Sequence, residues 1–158
     1  MHERAAPPEL QLPGLGGVAL TAFDTSAAAL LTAIKDHGQT SLLAPIGDAM
    51  GRVAAERYAD LSSVALLPVP SSRASVRRRG VNLGAMLAAR VSRHSGLPVD
   101  RGLKLVRDTD DQRSLGAEQR FANLQDSMRF EPQGEHGLVI IDDVTTTGAT
   151  ILEAFRAA

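Results

Sequence analysis

The ten residues from Ile141 to Thr150 constrain this chain more than any other part of it. Gly137-Leu138-Val139-Ile140-Ile141 is an unbroken apolar run, and two carboxylates, Asp142 and Asp143, follow it at once. Val144-Thr145-Thr146-Thr147-Gly148 comes next, and then an apolar-periodic stretch over residues 149–158. A short continuous apolar run ended by polar residues is the pattern of a strand buried on both faces, as in parallel sheets. The order strand, tight polar loop, helix makes this a β–loop–α unit. Ligands of open α/β sheets sit beyond the carboxyl ends of such strands.

The loop chemistry suits a phosphorylated sugar. Successive backbone N–H groups at a helix start, together with the helix dipole, form an anion site. Thr145, Thr146, Thr147 and Thr150 add hydroxyl donors without bulk, and Gly148 lets the backbone approach a ligand closely. Asp142 and Asp143 supply acceptors for sugar hydroxyls or for a hydrated Mg²⁺. An ordinary capped strand-to-helix turn also uses Asp and Thr. It does not, however, call for two adjacent like charges directly after four apolar residues.

The rest of the chain alternates helix and strand patterns. Residues 1–17 are rich in Pro and Gly and read as an irregular arm ahead of one domain over residues 18–158. Residues 18–23 alternate loosely, like a short strand. Asp24, Thr25 and Ser26 offer N-caps for a helix over 27–36, whose apolar face is Leu30, Leu31 and Ile34, with Gly38 as a stop. A second helix fits residues 46–59, burying Met50, Val53 and Ala54. The apolar run at 63–70 reads as a second buried strand, followed by a polar loop over 71–80 loaded with Arg73, Arg77, Arg78 and Arg79. Asn82 caps a helix over 83–95 with Leu83, Leu87 and Val91 at i, i+4 and i+8. Residues 97–106 are weakly strand-like, 107–119 read as a long loop, and 119–127 as a short helix. The class predicted is α/β, a mostly parallel sheet flanked by helices. Such a domain normally adds a strand after its last helix, so truncation at the C-terminus is expected.

With 158 residues the chain is the size of one domain. It has no cysteine, which excludes a disulfide framework, Cys-ligated zinc and a cysteine nucleophile. A net charge of −1 and only five aromatic residues (Phe23, Tyr58, Phe121, Phe130, Phe155) count against autonomous binding of single-stranded nucleic acid. No segment has the form of a targeting signal or a membrane span, so a cytoplasmic protein without membrane partners is expected. His2, His37, His94 and His136 show no metal or triad spacing and read as surface residues.

The segment from Leu138 to Thr150 resembles the phosphoribosyl pyrophosphate (PRPP) signature of type I phosphoribosyltransferases. Further segments narrow the resemblance to the ComF family. Val69-Pro70, Arg73, Arg77, Arg79-Gly80, Asn82 and Leu87-Ala88 are similar to one family block. Thr109, Gln112, Leu115, Arg120, Asn123 and Phe130 are similar to a second, and Lys35-Asp36-His37-Gly38 to a helix-ending K-x-x-G. The likeness covers most of residues 20–156. Many members carry an N-terminal Cys-based zinc module, which this chain lacks, and Leu83 stands where the family often has Gln.

The resemblance implies a type I phosphoribosyltransferase-like fold and Mg²⁺-dependent transfer of phosphoribose from PRPP, with release of pyrophosphate. The acceptor is left open, a nucleobase or another nitrogen nucleophile. It implies that Asp142 and Asp143 orient the ribose, with a metal-bound water within their reach. Val144, Thr145, Thr146, Thr147, Gly148, Ala149 and Thr150 would complete the PRPP site. Arg73 and Arg79 would meet the pyrophosphate, since Arg forms bidentate bonds to phosphate. Alternatively the Arg run is a solvated basic surface or a patch for a nucleic-acid backbone. Thr109, Gln112 and Arg120 would belong to a lid that excludes water. The family link is to DNA uptake in transformation. A second reading is therefore a non-catalytic PRPP- or nucleotide-binding module working with single-stranded DNA or a helicase. A third is a binding domain for some other phosphosugar.

Overall fold

A computed structural model describes residues 7–58, 60–61, 63–107 and 117–158 of the chain. Twelve elements follow one another: β1 (Glu9–Leu12), β2 (Leu15–Val18), α1 (Thr25–Lys35), α2 (Leu43–Tyr58), β3 (Val64–Pro68), α3 (Arg73–Arg79), α4 (Leu83–Ser95), β4 (Leu103–Leu105), α5 (Ala117–Leu124), β5 (Met128–Phe130), β6 (Gly137–Ile141) and α6 (Ala149–Ala157). A turn of 3-10 helix, Thr40–Leu42, leads into α2.

The two apolar runs pair with each other. β3 and β6 are parallel and in register from Val64 opposite Gly137 to Pro68 opposite Ile141. β3 is buried at Ala65, Leu66 and Leu67, β6 is half-buried over residues 138–140 and buried at Ile141, and alternation divides their side chains between two cores. Leu66 and Ile141 join Ile34, Leu43, Ala54, Leu83, Leu87 and Val91 on the side of α1, α2 and α4. Leu67 points the other way, to Val69, Leu103, Met128 and Ala154, beside β4, β5 and α6. In β6, Val139 packs on the first cluster, and Leu138 and Ile140 on the second. A period of two applied to an all-apolar run thus feeds two layers at once.

Helix termini obey local chemistry. The Asp24 carboxylate accepts from Ala27 N–H at 2.8 Å and starts α1. The Asn82 side chain accepts from Ala85 N–H at 3.1 Å and starts α4. Helices α2 and α4 lie close because Gly47 and Gly51, one turn apart, offer no side chain where Arg90 and His94 cross. Arg90 clasps Asp48 beside that contact, and His94 Nε2 lies 2.8 Å from the same carboxylate.

Four expectations are corrected. The sheet is not mostly parallel: β3–β6 is the only parallel ladder among the described residues, extended by a bridge from Leu66 to Val99. β1–β2 and β4–β5 are antiparallel. β4 and β5 run oppositely, with Leu103 beside Phe130 and Leu105 beside Met128, so their ladder adds nothing to the parallel pair. β5 itself is only three residues with charge on both sides, too short for its period to show.

The expected irregular arm contains a hairpin. Pro13-Gly14 forms the turn, with Gly14 at φ +75°, and Leu12 stands opposite Leu15. The strand placed at 18–23 ends at Val18. Lastly, the arginine loop is a helix. Ser72 accepts from Ser75 N–H at 3.2 Å, Gly80 closes the other end, and three arginines in the last turn suit its negative pole. Seven residues with two apolar members, Ala74 and Val76, carry no readable helical period.

Asp100 ties the second layer together. Its side chain is fully buried, and accepts from Gly102 N–H at 2.7 Å and Gln133 N–H at 3.0 Å, with His136 Nε2 at 2.9 Å. Burial alone would raise this carboxyl, but the two backbone N–H groups and His136 outweigh it and hold it below the usual range. His136 is therefore an internal partner and not the surface residue expected. Asp100→Ala should cost about 2–4 kcal/mol, because it strands buried donors. Urea unfolding at pH 7 checks this. The loss should shrink in acid, since a depressed carboxyl contributes only above its folded pKa.

Candidate functional site

The C-terminal end of β6 carries the site. Ile141 is buried, and the chain leaves the sheet through Asp142 and Asp143. Asp143 N–H donates back to Asp142 Oδ1 at 2.9 Å, which sets the two carboxylates side by side. The loop then turns through the threonines into α6. Ala149 N–H lies 3.4 Å from Thr147 Oγ1, and Leu152 N–H donates to Gly148 O at 2.9 Å to begin the helix. A small cavity of about 210 Å³ lies inside this turn, lined by Asp142, Val144, the loop threonines, Gly148, Ala149, Thr150 and Ile151. The turn thus gathers Asp142 and the residues from Val144 to Ile151 around one space, and Asp143 stands outside that lining.

Gly148 is needed there twice over. Its φ is +76°, a left-handed conformation that side chains strain to adopt. A Cβ on it would also come within 2.5 Å of Leu12 Cδ2, at the tip of the N-terminal hairpin. The hairpin therefore packs against the loop, and Gly14 faces the Phe155 ring of α6.

Electrostatics separate the two carboxylates. Lys35, the last residue of α1, places Nζ 3.0 Å from Asp143 Oδ1 and 2.9 Å from Oδ2. Among the described residues no such cation contacts Asp142. Burial pushes its carboxyl up to about 7, with the charge of Asp143 second, while the Asp143 N–H and the Lys35 charge pull the other way. Lys35 is the residue whose role sequence reading missed. In sequence it reads only as part of K-x-x-G, although the chain has just two lysines and this one ends a helix.

The arginines fall on α3. This helix follows β3 directly, and Pro68 of β3 is in register with Ile141 of β6. α3 consequently leaves the sheet at the same end as the Asp pair. Arg73, Arg77 and Arg78 are exposed and Arg79 is half-buried. Thr109 and Gln112 lie outside the described residues, and of Arg120 only its backbone, in α5, is described.

Among the described residues no three His, Asp or Glu side chains are grouped to share a metal ion. Two adjacent carboxylates, one of them held by Lys35, fit a Mg²⁺ ion that takes most of its ligands from substrate phosphates and water. Among the described residues, too, no helix is long and apolar enough to cross a membrane.

The chain is similar to proteins named for competence and DNA utilization. It is 37% identical over 97 residues to the DNA utilization protein YhgH of Salmonella typhi, covering 55% of this chain and 42% of that one. It is 32% identical over 94 residues to Competence protein F of Haemophilus influenzae, covering 56% of this chain and 41% of the relative. The YhgH protein of Escherichia coli K12 is 39% identical over 79 residues, 48% of this chain and 34% of its own length. These homologues bear out the ComF resemblance, and the matches span well under half the length of each relative. No family model and no solved structure matches the chain.

The raised Asp142 carboxyl predicts a pH effect on stability. The unfolded chain gives up this proton near 3.8, the folded protein only near 7. Stability should therefore fall as pH rises between those values. Asp142→Asn removes that penalty. It should match the wild type near pH 4 and exceed it at pH 8, by at most about 4 kcal/mol. Urea unfolding at pH 4, 6 and 8 tests the crossover.

Proposed function

We propose, from the kinship with competence and DNA-utilization proteins, that this chain binds PRPP at the loop after β6 and transfers its phosphoribosyl group. The observation that carries the reading is the single turn in which Asp142 and the threonine loop line one cavity, while Lys35 holds the adjacent Asp143. A 5-phosphate would sit in the loop, where helix dipole and hydroxyls favour an anion. Asp142 and Asp143 would accept from the ribose hydroxyls.

The reaction asks mainly for alignment. The acceptor nitrogen's lone pair forms the bond to C1. The C1–O bond to pyrophosphate breaks, its electron pair leaves on pyrophosphate, and the acceptor's proton passes to solvent. Asp143, held by Lys35, keeps the sugar in a fixed pose through this exchange. Arg73 and Arg79 are the residues that would meet the departing pyrophosphate from α3. Mg²⁺, bound with the substrate beside Asp142 and Asp143, would offset charge on the pyrophosphate oxygens.

A second reading keeps the pocket and drops the turnover. The names of the relatives speak of DNA utilization and competence, and exposed Arg73, Arg77 and Arg78 on α3 suit a nucleic-acid backbone or a partner such as a helicase. Calorimetric titration of PRPP with and without Mg²⁺ separates these readings. The wild type should bind PRPP, and Mg²⁺ should tighten it. Asp142→Ala/Asp143→Ala should weaken binding at least tenfold, roughly 1.4 kcal/mol. Pyrophosphate release with a base acceptor supports transfer, whereas binding without release favours the module. Equal affinity for ribose 5-phosphate without Mg²⁺ would point to another phosphosugar. An Asp143→Asn variant with full turnover would remove Asp143 from its role.

A further inference from the structure

We propose that Glu153, with Arg156 as its partner, is a positioning residue that fixes where α6 begins, and so how the loop after β6 presents its N–H groups to a ligand's phosphate. This rests on the phosphoribosyl reading of that loop. Neither residue lines the cavity, and both would act through the helix that carries them.

α6 and β5 meet through a closed ring of hydrogen bonds. Met128 N–H donates to Glu153 Oε1 at 3.0 Å. Arg156 Nη2 donates to Met128 O, also at 3.0 Å. The two side chains complete the ring, with Arg156 Nε donating to Glu153 Oε2 at 2.8 Å and Nη2 to Oε1 at 2.9 Å. Both backbone polar groups of one strand residue are thus satisfied by a helix, as a neighbouring strand would satisfy them. Arg156 also lies 3.5 Å from Asp126, whose φ of +55° turns the chain from α5 into β5.

A carboxylate is a costly choice at this place. Glu153 is 6% exposed, beside Ala154 and Met128 of the second core. Burial would raise its carboxyl, but Arg156 and the Met128 N–H outweigh it and hold it below the usual range. Apolar side chains of similar volume often join two elements as well as a buried ion pair does, or better. What the pair adds is direction. An apolar contact lets a helix slide or turn, whereas a bidentate ring fixes both. The ring is also close to the loop: Glu153 is four residues after Ala149, about 6 Å along the axis. A helix is stiff over that distance, and a misplacement of about 1 Å can cost a reaction about a hundredfold in rate.

Calorimetric titration of the full chain with PRPP and Mg²⁺ tests this, together with amide NMR of the ligand-free protein. Glu153→Ala should weaken PRPP at least tenfold and shift the amide signals of residues 145–151. Glu153→Gln keeps an oxygen for Met128 N–H and should bind within threefold of the wild type. Arg156→Ala leaves that bond in place, should weaken PRPP at least threefold, and decides the matter if Glu153→Ala does not fold. Asp100→Ala is the control. It removes a buried carboxylate too, but its partners Gln133 and His136 precede β6, at the end away from the loop, and it should keep the wild-type affinity. Wild-type affinity in Arg156→Ala, or the same loss in Asp100→Ala as in Glu153→Ala, overturns the assignment alone. Failure of the wild type to bind PRPP overturns the phosphoribosyl reading and this assignment with it.

Discussion

The parallel pairing of β3 with β6 is the contact on which the rest depends. Both strands are apolar at nearly every position, and neither can be left with a face in water. Leu66 and Leu67, adjacent and fully buried, therefore require cover on opposite sides. Helices α1, α2 and α4 supply one layer, and β4, β5 and α6 supply the other. The register, Pro68 beside Ile141, then brings two chain exits to one end of the sheet. One exit becomes the Asp-Asp-Val-Thr turn, the other the arginine helix. The candidate site is a consequence of how two apolar runs satisfy each other.

At that end, the cost of placing two carboxylates together is met unequally. Asp143 has a cation in contact from a helix 108 residues earlier in the chain. Asp142 takes the burial, and its carboxyl rises toward neutrality. The asymmetry gives neighbouring acids different properties without altering their chemistry. It also couples the position of α1 to the loop. The same helix contributes Ile34 to the core, Lys35 to Asp143 and Leu31 to a cleft beside Val144, so a shift of α1 would be felt in all three.

The strands and helices with strong periods were legible in sequence. Gly137–Ile141, the helix capped by Asn82 and the helix after Asp24 needed only burial pattern and capping chemistry. So did the turn after Ile141, because its hydroxyls and carboxylates are contiguous in the chain. What escaped were short or sparsely apolar pieces: the three-residue β5, the seven-residue α3 and the hairpin at 9–18. Their local patterns are too brief to outweigh Pro, Gly or charge. Tertiary contacts stabilise them, with Leu12 on Gly148 and Asp100 across to Gln133 as examples.

By itself, then, the sequence determined the α/β class, the two apolar strands, the helix starts at Asp24 and Asn82 and the residue chemistry of one turn. Each follows from contacts within a few residues or from how much apolar surface a segment must bury. Only the tertiary structure decided that Lys35 holds Asp143, that His136 serves Asp100, that Leu31 lines a cleft beside Val144 and not the core, and that the parallel sheet has two strands among the described residues. Those pairings join residues far apart in the chain. They depend on directions that side chains acquire only once the layers have packed, and a linear pattern carries no record of direction.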